Sequence, residues 1–239
     1  MLHIILLDCA LELIPSELSA LKPIQKQASR RGKKPGELLL DQTLHGREMT
    51  RLENAEQRGR PDIVFHSLMT LLETPLCKSG LLTIHLHLQD GTIIEVNPEV
   101  RLPRNYDRFV GLIEQLLLRG RVPPEGPALL QIVHKTLPEL VTLLKQGNGK
   151  AQSCLAIEGG TKTTMKSLQN LLPEDSSLPV IVGIGAFPHG NFIAVKTSLF
   201  DTHIELDTEV MMAWHVCAEI LWSYSARVEV IETRYMSDA

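Results

Sequence analysis

The feature that most constrains the fold is a set of short, continuous apolar runs separated by helical segments. The first is His3-Ile4-Ile5-Leu6-Leu7, similar runs occupy 154–157 and 179–184, and 203–206 is a further strand candidate. An apolar run of this length without alternation suits a strand buried on both faces. Strands that alternate with helices in turn point to a mainly parallel sheet. The sequence therefore predicts an α/β fold, a mainly parallel sheet flanked by helices.

Helical spacing is expected over 11–21, with Pro15 or Ser16 near a start. It returns from Asp62, as N-cap or first-turn acid, through Ile63, Val64, Leu68, Leu71 and Leu72, and again over 105–118. A last helix over 209–224 is apolar on most sides, as in a large core or a subunit interface. Residues 83–88 alternate, with Ile84, Leu86 and Leu88 on one face and Thr83, His85 and His87 on the other. Gln89-Asp90-Gly91 supplies a turn, so 83–97 reads as a β-hairpin. Residues 22–37 are polar, basic and broken by Gly32, Pro35 and Gly36, which predicts a mobile loop. Residues 226–239 read as a tail, and without an internal repeat 1–239 reads as one domain.

No apolar run approaches the ~20 residues that span a bilayer, and no secretory signal is expected at the start. Cys9, Cys77, Cys154 and Cys217 lie too far apart for a zinc or disulfide framework, which suits a reducing cytoplasm. No metal is expected. The net charge of −4 averages unlike parts. Residues 22–60 carry ten Lys/Arg against five Asp/Glu, 101–121 five against two, and 151–239 five against eleven. Two basic segments in a mildly acidic chain suggest an anion-binding face, with nucleic acid the first candidate. For 22–34 alone, a solvated helix face is the better reading.

Two motifs could carry chemistry. The loop Val182-Gly183-Ile184-Gly185-Ala186-Phe187-Pro188-His189-Gly190 follows an apolar strand, where open α/β sheets place ligand loops. Pro188 stands where a dinucleotide fingerprint needs its third glycine, so a nicotinamide site is disfavoured and a plain tight turn is the alternative. The second motif is a set of arginines at two helix starts: Arg58 and Arg60 before Asp62, then Arg101, Arg104 and Arg108. Arg104 and Arg108 are four apart and face one way, as a phosphate site requires. Salt bridging to Asp107 is the alternative, and spacing does not separate the two. His85 and His87 read as a surface pair, His66 and His215 as hydrogen-bonded core residues.

RGRPDIVFHSLMTLLETPL (58–76), EVNPEVRLPRNYDRFVGLIEQLL (95–117), VGIGAFPHG (182–190) and LDTEVMMAWHVCAEI (206–220) follow one another here. In that order they resemble the Nep/Emg family of ribosome-biogenesis methyltransferases in the SPOUT superfamily. The resemblance covers about 1–225, and the lack of long eukaryotic extensions is similar to archaeal members. It implies a trefoil-knotted homodimer with a family-specific β-hairpin insertion. It also implies S-adenosylmethionine as methyl donor, and N1 of a pseudouridine in small-subunit ribosomal RNA as target.

Residue by residue, the resemblance places RNA contacts on Arg60, Arg101, Arg104 and Arg108, and sets Asp62 beside Arg60 as its orienter or as a base. It places donor contacts on Gly185, Gly190, Leu206, Asp207, Thr208, Glu209, Val210 and Met211, with a further donor loop near 158–161. The family's asparagine-containing stretch reads Asp207-Thr208-Glu209 here, so the resemblance carries backbone roles at that point. A non-catalytic RNA-binding assembly factor of the same fold is the alternative function. A small-molecule enzyme is disfavoured by the arginines.

Overall fold

β1 (Leu2–Cys9) is buried almost throughout, and its alternate side chains enter two different cores. Ile4 and Leu6 join Val64, Leu68, Ile220 and Leu221 on one side, while Ile5 and Leu7 join Leu140, Ile181 and Phe200 on the other. This two-sided burial is why the run lacks polar alternation. The computed structural model describes residues 1–146 and 150–237. After β1 come α1 (Ser16–Ser19), α2 (Lys22–Arg30), α3 (Gln42–Met49), α4 (Pro61–Leu71) and α5 (Pro75–Lys78). Next are β2 (Leu82–Leu88), β3 (Ile93–Val96), α6 (Tyr106–Arg119), β4 (Arg121–Val122), β5 (Leu130–Val133) and α7 (Leu137–Lys145). The chain continues with β6 (Gln152–Lys162), α8 (Met165–Leu171), β7 (Val180–Gly185), α9 (Ala194–Thr197), β8 (Thr202–Glu205), α10 (Ala213–Arg227) and α11 (Val230–Ser237).

Among the described residues these strands form one sheet in the order β4-β5-β3-β2-β1-β7-β6-β8. The five strands from β2 to β8 in that order are parallel, and β3, β5 and β4 extend the sheet antiparallel. Because β2 and β7 flank β1, the strand order reverses there. Open α/β sheets form a ligand crevice beyond the strand carboxyl ends at such a point.

Several expectations are corrected. Residues 22–37 are not a mobile loop. Pro23 sits in the first turn of α2, and Ile24 and Ala28 turn inward onto Leu18, Leu38, Leu40 and Met49. Arg31 then donates to both oxygens of the fully buried Glu114 at 2.6 and 2.8 Å, and Lys33 Nζ and the Leu39 amide also donate to it. The basic residues that looked solvent-bound instead fasten this segment to α6. The 226–239 tail is largely helical: α10 runs to Arg227, α11 packs on α5 and α10, and residues 238–239 lie outside the described residues.

The helix expected over 11–21 shrinks to α1, because Leu13 bridges Leu39 and Pro15 delays the start. The last helix begins only at Ala213, since the Asp207 carboxylate accepts the Glu209 amide at 2.9 Å and holds the chain in a turn. The hairpin over 83–97 is present as antiparallel β2 and β3. However, β2 is an inner strand beside β1, so His85 and His87 are buried and not a surface pair.

That burial has a consequence for stability. His3 Nδ1 lies 2.7 Å from Thr83 Oγ1, while among the described residues His85 Nδ1 has no hydrogen-bond partner. Burial lowers both imidazoles to about 4; His3 is further lowered by His85, and Glu95 only partly offsets the effect at His85. The fold therefore keeps both neutral, whereas the unfolded chain protonates them below about 6.5. Stability tied to them is complete above 6.5 and is lost as pH falls toward 4. Thermal unfolding from pH 7 to 4 is expected to show a falling Tm, with a slope flattened in the His3→Gln/His85→Gln variant. Equal slopes in both proteins would exclude these histidines as the cause.

Candidate active site

A cleft of about 360 Å³ opens at the carboxyl ends of β6, β7 and β8. On the β6 side it is shaped by a bulge, where pairing with β8 shifts between Ala156 and Thr161. The Gly159 amide donates to Glu205 Oε1 at 2.9 Å. Gly160 lies so close to β8 that a Cβ there would meet the Ile204 carbonyl carbon at 2.7 Å, so the bulge needs glycine. Ile184, Gly185 and Phe187 form the β7 wall, and the segment from Glu205 to Val210 leads along the rim to α10.

Of the sequence-derived candidates, Gly185, Gly190, Leu206, Asp207, Glu209, Val210 and Met211 line this cleft. Thr208 does not; its hydroxyl is turned to Asp207 Oδ1 at 3.5 Å. Glu158 from the 158–161 loop lines it as well, whereas Gly159 and Gly160 shape the bulge behind. Sequence reasoning missed Ile157, Phe192 and Val216, whose only signal was their place beyond strand ends or on an apolar helix. The lining is apolar on its walls and carries Glu158, Glu205, Asp207 and Glu209 without a lysine or arginine. Such a lining favours a ligand with an apolar body and positive charge.

The arginine face begins at the N-terminus of α4. The Arg60 amide donates to the Ala10 carbonyl at 3.1 Å, and the Ala10 amide donates to the Ala186 carbonyl at 3.3 Å. Two backbone hydrogen bonds thus fasten α4 to the residue after Gly185. Arg60 Nε and Nη2 each donate to one Asp62 oxygen at 2.8 Å, a bidentate pair that fixes the guanidinium plane and raises its pKa. Arg58 is spent elsewhere, on Glu12 at 2.7 and 2.5 Å.

Beside α4, Asn105 caps α6 by accepting the Arg108 amide, and the Tyr106 hydroxyl donates to Asp41 at 2.7 Å. Phe65 on α4 meets Tyr106 and Phe109 on α6, so the two helix starts lie together. Arg101, Arg104 and Arg108 are exposed, and among the described residues none forms an ion pair. The Asp107 alternative is therefore not realised. The excess charge of 22–60 contributes less than expected, because Arg31, Lys33 and Arg58 are already paired.

His66 and His215 are exposed rather than core residues; both rings lie against Trp214, at 5.0 and 5.9 Å. Among the described residues no group of three or more His, Cys, Asp or Glu could hold a metal ion, and no helix is long and apolar enough to cross a membrane.

The parallel sheet, the acidic cleft beyond its strand ends and the arginine face tied to that cleft define an α/β protein whose charges suit a cationic small ligand beside an anionic one. The family is specific. A family model described as EMG1/NEP1 methyltransferase matches residues 4–225, and the chain belongs to that family. It is 41% identical over 221 residues to "Ribosomal RNA small subunit methyltransferase Nep1" of Staphylothermus marinus, covering 92% of this chain and 93% of that protein. It is 42% identical over 224 residues to the protein of the same name from Thermococcus sibiricus, covering 94% and 97%. The crystal structure of Archaeoglobus fulgidus Nep1 bound to S-adenosylhomocysteine superposes with a TM-score of 0.81 at 34% identity, over 95% of this chain and 98% of that one.

Proposed function

We propose that this chain transfers a methyl group from S-adenosylmethionine to N1 of a pseudouridine in small-subunit ribosomal RNA during ribosome biogenesis. The observation that carries this reading is the acidic, apolar-walled cleft tied by two hydrogen bonds to an arginine face, in which Arg101, Arg104 and Arg108 form no ion pair among the described residues. The names of the relatives support the RNA substrate, and the S-adenosylhomocysteine bound to the Archaeoglobus fulgidus protein supports the donor.

The residues present fit the donor. The apolar walls suit an adenosine, and four carboxylates complement sulfonium and ammonium charges. Gly185, Gly190 and the backbone of Leu206, Asp207, Glu209, Val210 and Met211 would hold it. When bound, the donor supplies an electrophilic methyl group on a positively charged sulfur. Arg101, Arg104 and Arg108 grip RNA phosphates, and Arg60 adds a fourth contact beside the cleft. Asp62 acts as the orienter of Arg60, because both of its oxygens already accept from that guanidinium. The protein's part in the rate is then positioning, holding N1 within ~3–3.5 Å of the methyl carbon.

A trefoil knot and a homodimer belong to the same proposal. The dimer is supported by exposed Val210, Met212 and Trp222 before and on α10. A cytoplasmic site of action is part of the same proposal. Mass spectrometry of small-subunit ribosomal RNA from cells with and without the protein tests the activity. One methylated pseudouridine should be lost in its absence, and an unchanged modification set would refute it. Titration calorimetry with S-adenosylmethionine should give heat, which a non-catalytic assembly factor would not.

A further inference from the structure

Methylating N1 of pseudouridine releases a proton, and Asp62 cannot take it without releasing Arg60. A second cavity of about 420 Å³ shares Phe187, His189, Gly190 and Asn191 with the donor cleft, so the two adjoin across one loop. Apart from Ile193 its remaining lining is polar and includes Asp8, Gln57, Gln89 and Lys196. The loop approaches closely because position 190 is glycine: φ is +111°, and a Cβ would meet Gln57 Nε2 at 2.9 Å. Gln57 is itself held by Gln89, whose amide donates to the Gln57 carbonyl at 2.7 Å.

Asp8 is the unusual residue of this cavity. It stands at the end of β1, where pairing with β2 shifts register, and its φ is +53°. A non-glycine residue held in the left-handed region is uncommon, and such positions cluster at functional sites. Its side chain is only 15% exposed. Lys196 Nζ donates to Asp8 Oδ1 at 2.5 Å, and His87 Nδ1 lies 3.2 Å from the same oxygen. Among the described residues Oδ2 accepts no hydrogen bond.

We propose that this cavity receives the flipped target base and that Asp8 Oδ2 accepts its N1 proton. The inference rests on the pseudouridine reading above. N1 forms a bond to the methyl carbon as the carbon–sulfur bond breaks, sulfur keeps that electron pair, and the N1–H proton passes to Oδ2. Once N1 carries the methyl group its proton is strongly acidic, so an ordinary carboxylate is base enough. The same oxygen selects the substrate. Pseudouridine offers N1–H where uridine, attached through its own N1, offers only a C5–H, while the N3–H and both carbonyls are common to the two bases. A carboxylate therefore gains a charge-assisted hydrogen bond from pseudouridine alone.

The groups facing Asp8 set its ionisation. Burial acts to raise its pKa, but hydrogen bonds and charge from His87 and Lys196 outweigh burial and keep it below the usual carboxylate range. Glu53, Arg58 and His189 complete the titratable lining.

The test uses the full-length protein with RNA oligonucleotides bearing pseudouridine or uridine at one position. Without donor, fluorescence anisotropy should show the wild type binding pseudouridine RNA at least ~10-fold more tightly than uridine RNA. In Asp8→Asn the amide nitrogen faces N1–H, donor against donor, so that preference should vanish. Single-turnover methylation should fall at least ~100-fold, with S-adenosylhomocysteine binding kept. In Lys196→Met the acid limb of the single-turnover rate should move to higher pH, because the carboxylate loses its counter-charge; a structural role would not move it. An Asp8→Asn rate within threefold of wild type, or an unmoved acid limb in Lys196→Met, overturns the assignment of Asp8 while leaving the methyltransferase reading intact. Failure of the wild type to methylate pseudouridine RNA overturns that reading and this inference with it.

Discussion

Replacing Arg31 and Lys33 together by alanine is expected to lower the stability of the protein by about 3–5 kcal/mol, a drop in Tm of roughly 10 °C. The reason is an asymmetry in the ion pair. The Glu114 side chain is wholly buried, whereas Arg31 and Lys33 keep about a third of their side chains in contact with solvent. Removing the two cations leaves a carboxylate deep in the protein with only the Leu39 amide to answer it. Removing the charge from the acid is milder. In Glu114→Gln the amide oxygen can still accept from Leu39, and the freed cations can turn to water. The double alanine variant should therefore be the less stable of the two, as read by chemical denaturation. The reverse order would show that the cations, not the acid, carry the cost of burial.

The second large effect concerns the RNA face. Arg101→Ala, Arg104→Ala and Arg108→Ala combined should weaken binding of the target RNA by about three orders of magnitude at moderate salt. The slope of log affinity against log salt should become shallower by roughly 2–3, because each phosphate contact releases about 0.7–0.9 counterion. Stability should hardly change, since all three side chains are exposed and unpaired among the described residues. The discriminating measurement is anisotropy over a salt series. A variant with wild-type affinity and slope would remove these arginines from the interface.

How much of this was legible beforehand follows from how local each feature is. The two-sided burial of β1 was written in five consecutive residues, the start of α4 was marked by Asp62 in its first turn, and the start of α6 by apolar spacing. The donor cleft was legible as a loop and a rim segment, since both are continuous in the chain. Glu114 was not, because its partners lie some eighty residues away and composition counts Arg31 and Lys33 as free charge. Likewise His85 and His87 alternate like a half-exposed strand. Only the pairing of β2 with β1 and β3 reveals that both faces are covered. Asp8 gave no signal at all. A single acidic residue after an apolar run looks like the end of a strand until its backbone angle and its link to Lys196 are seen.

The central place of β1 also bears on how the chain is made. It leaves the ribosome before either of its partners, since one of its edges pairs with β2 at residue 82 and the other with β7 at residue 180. At synthesis rates of about 5–20 residues per second, that second edge stays open for roughly 10–35 s. During this interval a largely apolar strand waits with unpaired amides and carbonyls, the condition under which sheet edges recruit other chains. Completion of the fold is thus governed by sequence-distant contacts, which makes folding slow and its early stages the ones most exposed to misassembly.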